Sequence, residues 1–283
     1  MSKIITRALT WAFGAFSVLM AFLSESFFCF CHVIKEEMLK NISWLDASAC
    51  NITLARGLVF LGLFALSVLT SWIYSKKRKE VKIKGNNYSI VVEYGDLLKK
   101  ENFQRVINFD ECFTTKVGMG SADIKEDTIC GQYLMHHPGL DVPALITASG
   151  VKPSRRKSKY KNQPCYEPGT IVPNGDDLLM VFTRLDESGS SMKFTVEDYL
   201  KCLSLLWEEI DKYYCNKDVC VPVLGAGIAR FENGNSSSIP KQELVDLMIT
   251  SYKLSPHKLK SSHALHIVCW KPSDDFSMDK VVG

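Results

Sequence analysis

The chain has 283 residues, 46% hydrophobic and 23% charged, which leaves room for one or two folded domains and excludes a disordered or collagen-like chain. Its formal net charge of +3 is unevenly placed: residues 1–84 hold 11 Lys or Arg against 5 Asp or Glu, a net of +6, which leaves −3 for the other 199 residues. A general nucleic-acid binder carries its basic excess on the folded domain, so that class is excluded and no nucleic-acid partner is expected. The ten cysteines are scattered, without CxxC pairs or a Cys/His metal spacing, as in a reduced intracellular domain. Cys29 and Cys31 sit in an apolar run, and Cys215 and Cys220 flank a short loop; small buried hydrophobes describe them better than zinc ligands.

In chain order, the first feature is a run of seventeen uncharged residues from Ala8 to Ser24, which resumes after Glu25 through Cys31; Gly57 to Ser75 adds nineteen more. Crossing about 30 Å of hydrocarbon takes roughly 20 helical residues, so two transmembrane helices are predicted. A cleaved signal peptide fits the first run poorly, since the run is long, Phe-rich at its end and lacks a small-x-small cleavage signal. Lys3 and Arg7 precede the first run, the connector from His32 to Thr53 has two Lys against three acids, and six basic residues lie between Lys76 and Lys84. Because basic flanks stay in the cytoplasm, both termini are predicted there. Glu25 is expected to be solvated at the outer interface. The predicted division is a two-span membrane anchor with a basic collar over 1–84 and a cytoplasmic domain over 85–283.

After the collar, short apolar strands alternate with helices. Tyr88 to Glu93, Gln104 to Phe109, Leu178 to Thr183, Val219 to Leu224 and Ala264 to Trp270 read as strands. Thr195 to Tyr214 reads as a helix, with apolar residues at three- and four-residue steps and Thr195 with Asp198 as a cap, and Pro240 to Tyr252 reads as a second. This order predicts an α/β sheet with crossover helices, and Lys152 to Pro164 an exposed basic loop. His266 alternates within its strand and reads as a sheet residue.

The segment VCVPVLGAGIARF, Val219 to Phe231, runs an apolar strand directly into Gly225-Ala226-Gly227. Glycines two residues apart let main-chain N–H groups face an anion, and a following helix N-terminus adds positive potential: a diphosphate cradle, or a plain tight turn. The absence of GxxxxGK[ST] argues against an ATP-hydrolysing P-loop. Arg230 pairs with phosphate or lies on the surface.

Several stretches together resemble a family. Tyr94-Gly95-Asp96-Leu97, INFDECFTT at Ile107 to Thr115, CGQYL at Cys130 to Leu134, and VPVLGAGIARF resemble, in this order, the macro-like domain of Thoeris antiphage effectors. The two apolar runs resemble the anchor of the membrane-bound, type II form. The resemblance implies a three-layer α/β/α macro-like domain with a mixed sheet, in a bacterial inner-membrane protein. It also implies a TIR-domain partner that makes an ADP-ribose-derived signal, histidine–ADP-ribose, with no catalytic cofactor in the chain itself. By the same resemblance Asp96 accepts from the adenine amino group, and Gly225, Ala226, Gly227, Ile228 and Ala229 form the diphosphate loop. Asp110, Glu111 and Phe113 fall where ordinary macro domains carry an amide-rich loop beside the distal ribose. Two acids there weaken the transfer of de-ADP-ribosylation chemistry and suit a terminal substituent bearing positive charge or N–H donors.

Two functions are expected on these grounds. One is a non-enzymatic effector that oligomerises on binding the signal and disrupts the membrane. The other is a membrane-tethered hydrolase of ADP-ribose adducts, since acidic pairs also perform general acid/base work.

Overall fold

A computed structural model describes residues 2–28, 46–120, 122–227, 231 and 239–281. The chain divides into two compact units, Met1–Arg78 and Lys79–Gly283.

The first unit consists of helices α1 (Ser2–Phe22) and α2 (Ala47–Lys77), with a 3-10 turn at Glu25–Phe28. Within α2, Ala47–Ile73 is long enough to cross a membrane, and its most apolar 18-residue stretch has a mean hydropathy of 2.1. The apolar part of α1, Ala8–Phe22, is shorter, so by length alone one of the two expected spans qualifies among the described residues. The helices pack through Phe13 and Phe16 against Phe60, at ring-centroid separations of 5.0 and 5.3 Å, with Ala8, Ala12 and Ala55 buried. Trp11, Phe22, Leu61 and Leu66 stay exposed, Phe22 at 85%. Glu25 keeps its side chain exposed, and its Oε1 lies 3.3 Å from Arg56 Nη2, whose guanidinium sits over the Phe28 ring. Residues 29–45, with Cys29, Cys31 and Trp44, lie outside the described residues.

The second unit is built on a sheet of β1 (Glu80–Lys84), β2 (Ser89–Tyr94), β3 (Gln104–Asp110), β4 (Ile171–Asn174), β5 (Asp177–Thr183), β6 (Val219–Pro222) and β7 (Leu265–Cys269). Their spatial order is β1-β2-β7-β6-β3-β5-β4. The inner five run parallel, and β1 and β4 close the edges antiparallel, giving the mixed sheet expected. Because side chains alternate along a strand, an uninterrupted apolar run feeds two cores: on β5, Leu178, Met180 and Phe182 face one side and Leu179 and Val181 the other. The first side is covered by α5 (Val196–Tyr213) and α6 (Lys241–Leu254), where Trp207 meets Tyr252 edge-on at 5.2 Å and donates Nε1–H to Ser251. The other side is covered by α3 (Ile129–His136), α4 (Val142–Ser149) and a 3-10 turn at Leu97–Lys99. The result is three α/β/α layers.

The expected cap of α5 is present, with Thr195 Oγ1 accepting the Asp198 N–H at 3.0 Å. The last residues of the expected collar, Lys79 to Lys84, behave differently: Val81 and Ile83 are buried against the sheet, so Glu80–Lys84 is an edge strand and the compact units divide six residues earlier than charge suggests. The Lys152 to Pro164 loop forms one isolated bridge, Lys157 to Pro164, and Lys152, Arg155, Lys157, Lys159 and Lys161 are exposed.

Candidate functional site

The carboxyl ends of the five parallel strands open together into a cleft of about 1120 Å³. In open α/β sheets this edge is where ligands bind, because the chain departs there into loops on both faces. Gly95 and Asp96 follow β2, Asn108 to Asp110 end β3, Thr183 ends β5, Gly225 to Gly227 follow β6, and Trp270 follows β7. Two further walls come from the turn before α3 and from the segment between Leu185 and Ser191.

Each sequence-predicted residue has a definite place. Asp96 lines the cleft and also caps the 3-10 turn, accepting the Leu98 N–H at 3.1 Å, with Lys99 Nζ at 3.6 Å. Gly225, Ala226 and Gly227 line it as the expected loop. Gly225 has φ +86°, and a Cβ there would lie 2.9 Å from the Phe231 ring, so of the two glycines it is Gly225 rather than Gly227 whose backbone a side chain would strain. A Cβ on Gly227 would meet nothing within 4 Å. The Ala226 N–H closes a turn on the Val223 carbonyl at 3.4 Å. Ile228, Ala229 and Arg230 lie outside the described residues.

The Asp110-Glu111-Phe113 stretch departs from expectation. Asp110 lines the cleft, but its Oδ1 accepts the N–H groups of Cys112 at 2.8 Å and Thr114 at 3.3 Å. Burial holds its carboxyl above the usual range, against those hydrogen bonds. Glu111 does not face the cleft: it is fully buried, accepting from Ser158 Oγ and the Leu185 N–H and paired with Arg156. Phe113 is a core residue at φ +51°, packed on Phe109 and Tyr166. Burial alternates through this stretch, with Ile107, Phe109, Glu111 and Phe113 buried and Asn108, Asp110 and Cys112 less so, so Glu111 continues the inward face of β3 while the extra residue at the Phe109/Asp110 register shift lies on β5.

Five aspartates and two lysines line the cleft among the described residues. Several of these carboxylates are already engaged by their own loops: Asp186 accepts the Ser188 and Ser190 N–H groups, and Asp123 accepts from Gly120 and pairs with Lys116. They shape walls. With side-chain charge in net acidic excess, the cleft offers an anion main-chain N–H groups rather than a cluster of cations; at the start of α6 the Lys241 and Gln242 N–H groups already donate to Asp275, and Lys241 Nζ to Ser273.

Beneath the Asp96 turn, Glu93 accepts from His266 Nδ1 at 2.6 Å and pairs with Lys100 at 2.7 Å. The His266 hydrogen bond, with help from Lys100, holds the Glu93 carboxyl down to about 2 despite burial. Cys220 lies within 4.8 Å of these donor atoms, a spacing that suits a metal. The donor chemistry does not, since an ammonium already occupies Glu93 and burial pushes the Cys220 thiol up to about 12. His266 is therefore the satisfied sheet residue expected. His136 and His137 turn their Nδ1 atoms onto the carbonyls of Gln132 and Tyr133.

Sequence reasoning missed Asn108, Thr183, Lys241, Trp270 and the Leu185–Ser191 wall. The first two and Trp270 were findable, because each sits at the carboxyl end of a predicted strand; the wall carries no apolar period to announce it.

Residues 90–270 match the family model described as Thoeris protein ThsA, Macro domain. The chain belongs to this family. A Thoeris protein ThsA of Bacillus amyloliquefaciens (strain Y2) is 24% identical over 240 residues, covering 81% of this chain and 78% of that protein. An aspartate-to-alanine mutant of the Oceanobacillus iheyensis macrodomain aligns over 71% of this chain and 94% of its own, at 12% identity and TM-score 0.42. The same macrodomain solved with ADP aligns over 69% and 90%, at 9% identity and TM-score 0.38.

Proposed function

We propose that this chain is a membrane-anchored antiphage effector of the Thoeris ThsA macro-domain family. Its second unit binds an ADP-ribose derivative, histidine–ADP-ribose, made by a TIR-domain partner, and its first unit disrupts the bacterial inner membrane once protomers assemble. The observation that carries the reading is the cleft over five parallel strands, with the Gly225–Gly227 loop at its middle, in a chain of this family. Its size suits a dinucleotide-like ligand. The exposed apolar faces of α1 and α2 support lipid contact.

Sensing rather than turnover is favoured by the state of the reactive side chains. Burial pushes the Cys112 thiol up to about 11 and holds the Cys130 thiol well above its usual value, so neither rests as a nucleophilic thiolate. Asp110 is held by two backbone donors of its own loop. Incubating the full-length protein in detergent with histidine–ADP-ribose tests the reading: calorimetry shows binding and mass spectrometry recovers the conjugate intact. Release of free histidine or ADP-ribose would make the protein a hydrolase, and no heat of binding would remove the ligand altogether.

A further inference from the structure

We propose that Glu111 is a positioning residue that sets the cleft's selectivity for the part of a ligand beyond a nucleotide's diphosphate, by tying the Leu185–Ser191 wall to the β3 end. The inference rests on the nucleotide-binding reading of the cleft. Geometry along the sheet defines which end of the cleft is meant. Asp96 follows β2, the glycine loop follows β6, Asp110 follows β3 and Leu185 follows β5, in the spatial order β2-β7-β6-β3-β5. With adjacent strands about 4.8 Å apart, a diphosphate over β6 leaves one arm of the ligand over β2 and the other over β3 and β5. The Leu185–Ser191 wall stands at this second end.

Glu111 joins segments distant in sequence. Its Oε1 accepts the Leu185 N–H at 3.1 Å and the Ser158 hydroxyl at 2.6 Å, and its Oε2 lies 2.7 Å from Arg156 Nη2. Its own N–H donates to the Thr183 carbonyl at 2.7 Å, and its carbonyl accepts from the Tyr166 N–H at 2.8 Å. Arg156 is held in turn by Glu167, which also takes the Ser154 hydroxyl and pairs with Arg184. The wall is closed on itself, because Leu185 bridges Ser191 and Asp186 Oδ1 takes the Ser188 and Ser190 N–H groups. Its tip at Gly189 packs on Ala122 and Tyr160, and at its root the Leu185 N–H is the group that Glu111 holds. An apolar residue fills a buried site at less desolvation cost than a carboxylate beside a guanidinium; the charge adds a fixed position for three donors at once.

Calorimetry on the full-length protein in detergent, with ADP and ADP-ribose as probes, separates this role from plain structural support. Glu111→Ala is expected to weaken ADP-ribose about tenfold or more, as the wall shifts, and ADP by less than about twofold. Glu111→Gln, which keeps an acceptor for Leu185 and Ser158, should restore most of the loss. Ser158→Ala removes one hydroxyl without stranding a charge, and should weaken ADP-ribose a few-fold and ADP not at all. Equal weakening of both probes, or of neither, in Glu111→Ala or, where that variant does not fold, in Ser158→Ala, overturns the proposal. A wild-type protein that binds neither probe overturns the nucleotide reading, and this inference with it.

Discussion

Two glycines two residues apart do different work, and the difference can be measured. Gly225 occupies φ +86° with the Phe231 ring 2.9 Å from where a Cβ would sit. Gly225→Ala therefore forces a left-handed backbone on an L residue and a clash with an aromatic, at a cost of about 1–3 kcal/mol of stability. Gly227 faces open space, so Gly227→Val costs the fold little and fills the volume a ligand's diphosphate needs. Thermal unfolding should fall for the first variant and stay within a degree or two of wild type, roughly, for the second. Calorimetry with ADP-ribose should find binding lost in the second. Retained affinity in Gly227→Val would place the anion elsewhere.

At the scale of elements, continuous apolar strands were legible because burial on both faces leaves no polar alternation, as in Leu178 to Val181 and Val219 to Val221. Helix α5 was legible because its Leu203, Leu206, Trp207 and Ile210 recur at helical steps behind a Thr cap. The edges were not: β1 alternates buried Val81 and Ile83 with charged residues that read as a collar, and β4 contains Pro173, which only an edge strand tolerates. Helices α3 and α4 are each eight residues, too short to establish a period, and depend on their caps Thr128 and Asp141. Within the site, the end of a strand pointed to the glycine loop and the family resemblance to Asp96 and Asp110, whereas Glu111 follows the buried alternation of Ile107 and Phe109, which its acidic side chain disguises because an acid reads as exposed until its partners Ser158, Leu185 and Arg156 are known. The β1 assignment has a practical consequence. Val81 and Ile83 are 4% and 3% exposed, and fully burying such side chains contributes about 1.5–3 kcal/mol each. A chain starting at Lys79 should melt cooperatively as a soluble domain. One starting at Gly85 loses both side chains and bares the β2 edge, so it should melt lower and scatter light on heating. Equal melting temperatures for the two would show that β1 is not part of the fold's stability.

At the scale of the whole molecule, the proposed activity requires more than one copy. Two helices satisfy their own backbone hydrogen bonds and can lie in lipid, but a single pair encloses no wide pore. The exposed Trp11, Phe22, Leu61 and Leu66 leave apolar surface for lipid or for other copies. A ligand drives assembly only by binding the assembled state more tightly than the dispersed one. Shifting such an equilibrium from about 1:99 to 99:1 takes roughly 10⁴-fold preference, which several coupled protomers share, each contributing a modest part. Membrane leakage should therefore rise steeply with both ligand and protein concentration. Deleting residues 1–78 should abolish leakage and leave nucleotide affinity intact, because the cleft is built wholly from the second unit. Light scattering of the full-length protein in detergent should shift to larger species as histidine–ADP-ribose is added. If the size distribution stays unchanged at saturating ligand while liposomes still leak, assembly is not the trigger, and a preformed channel that opens on binding takes its place.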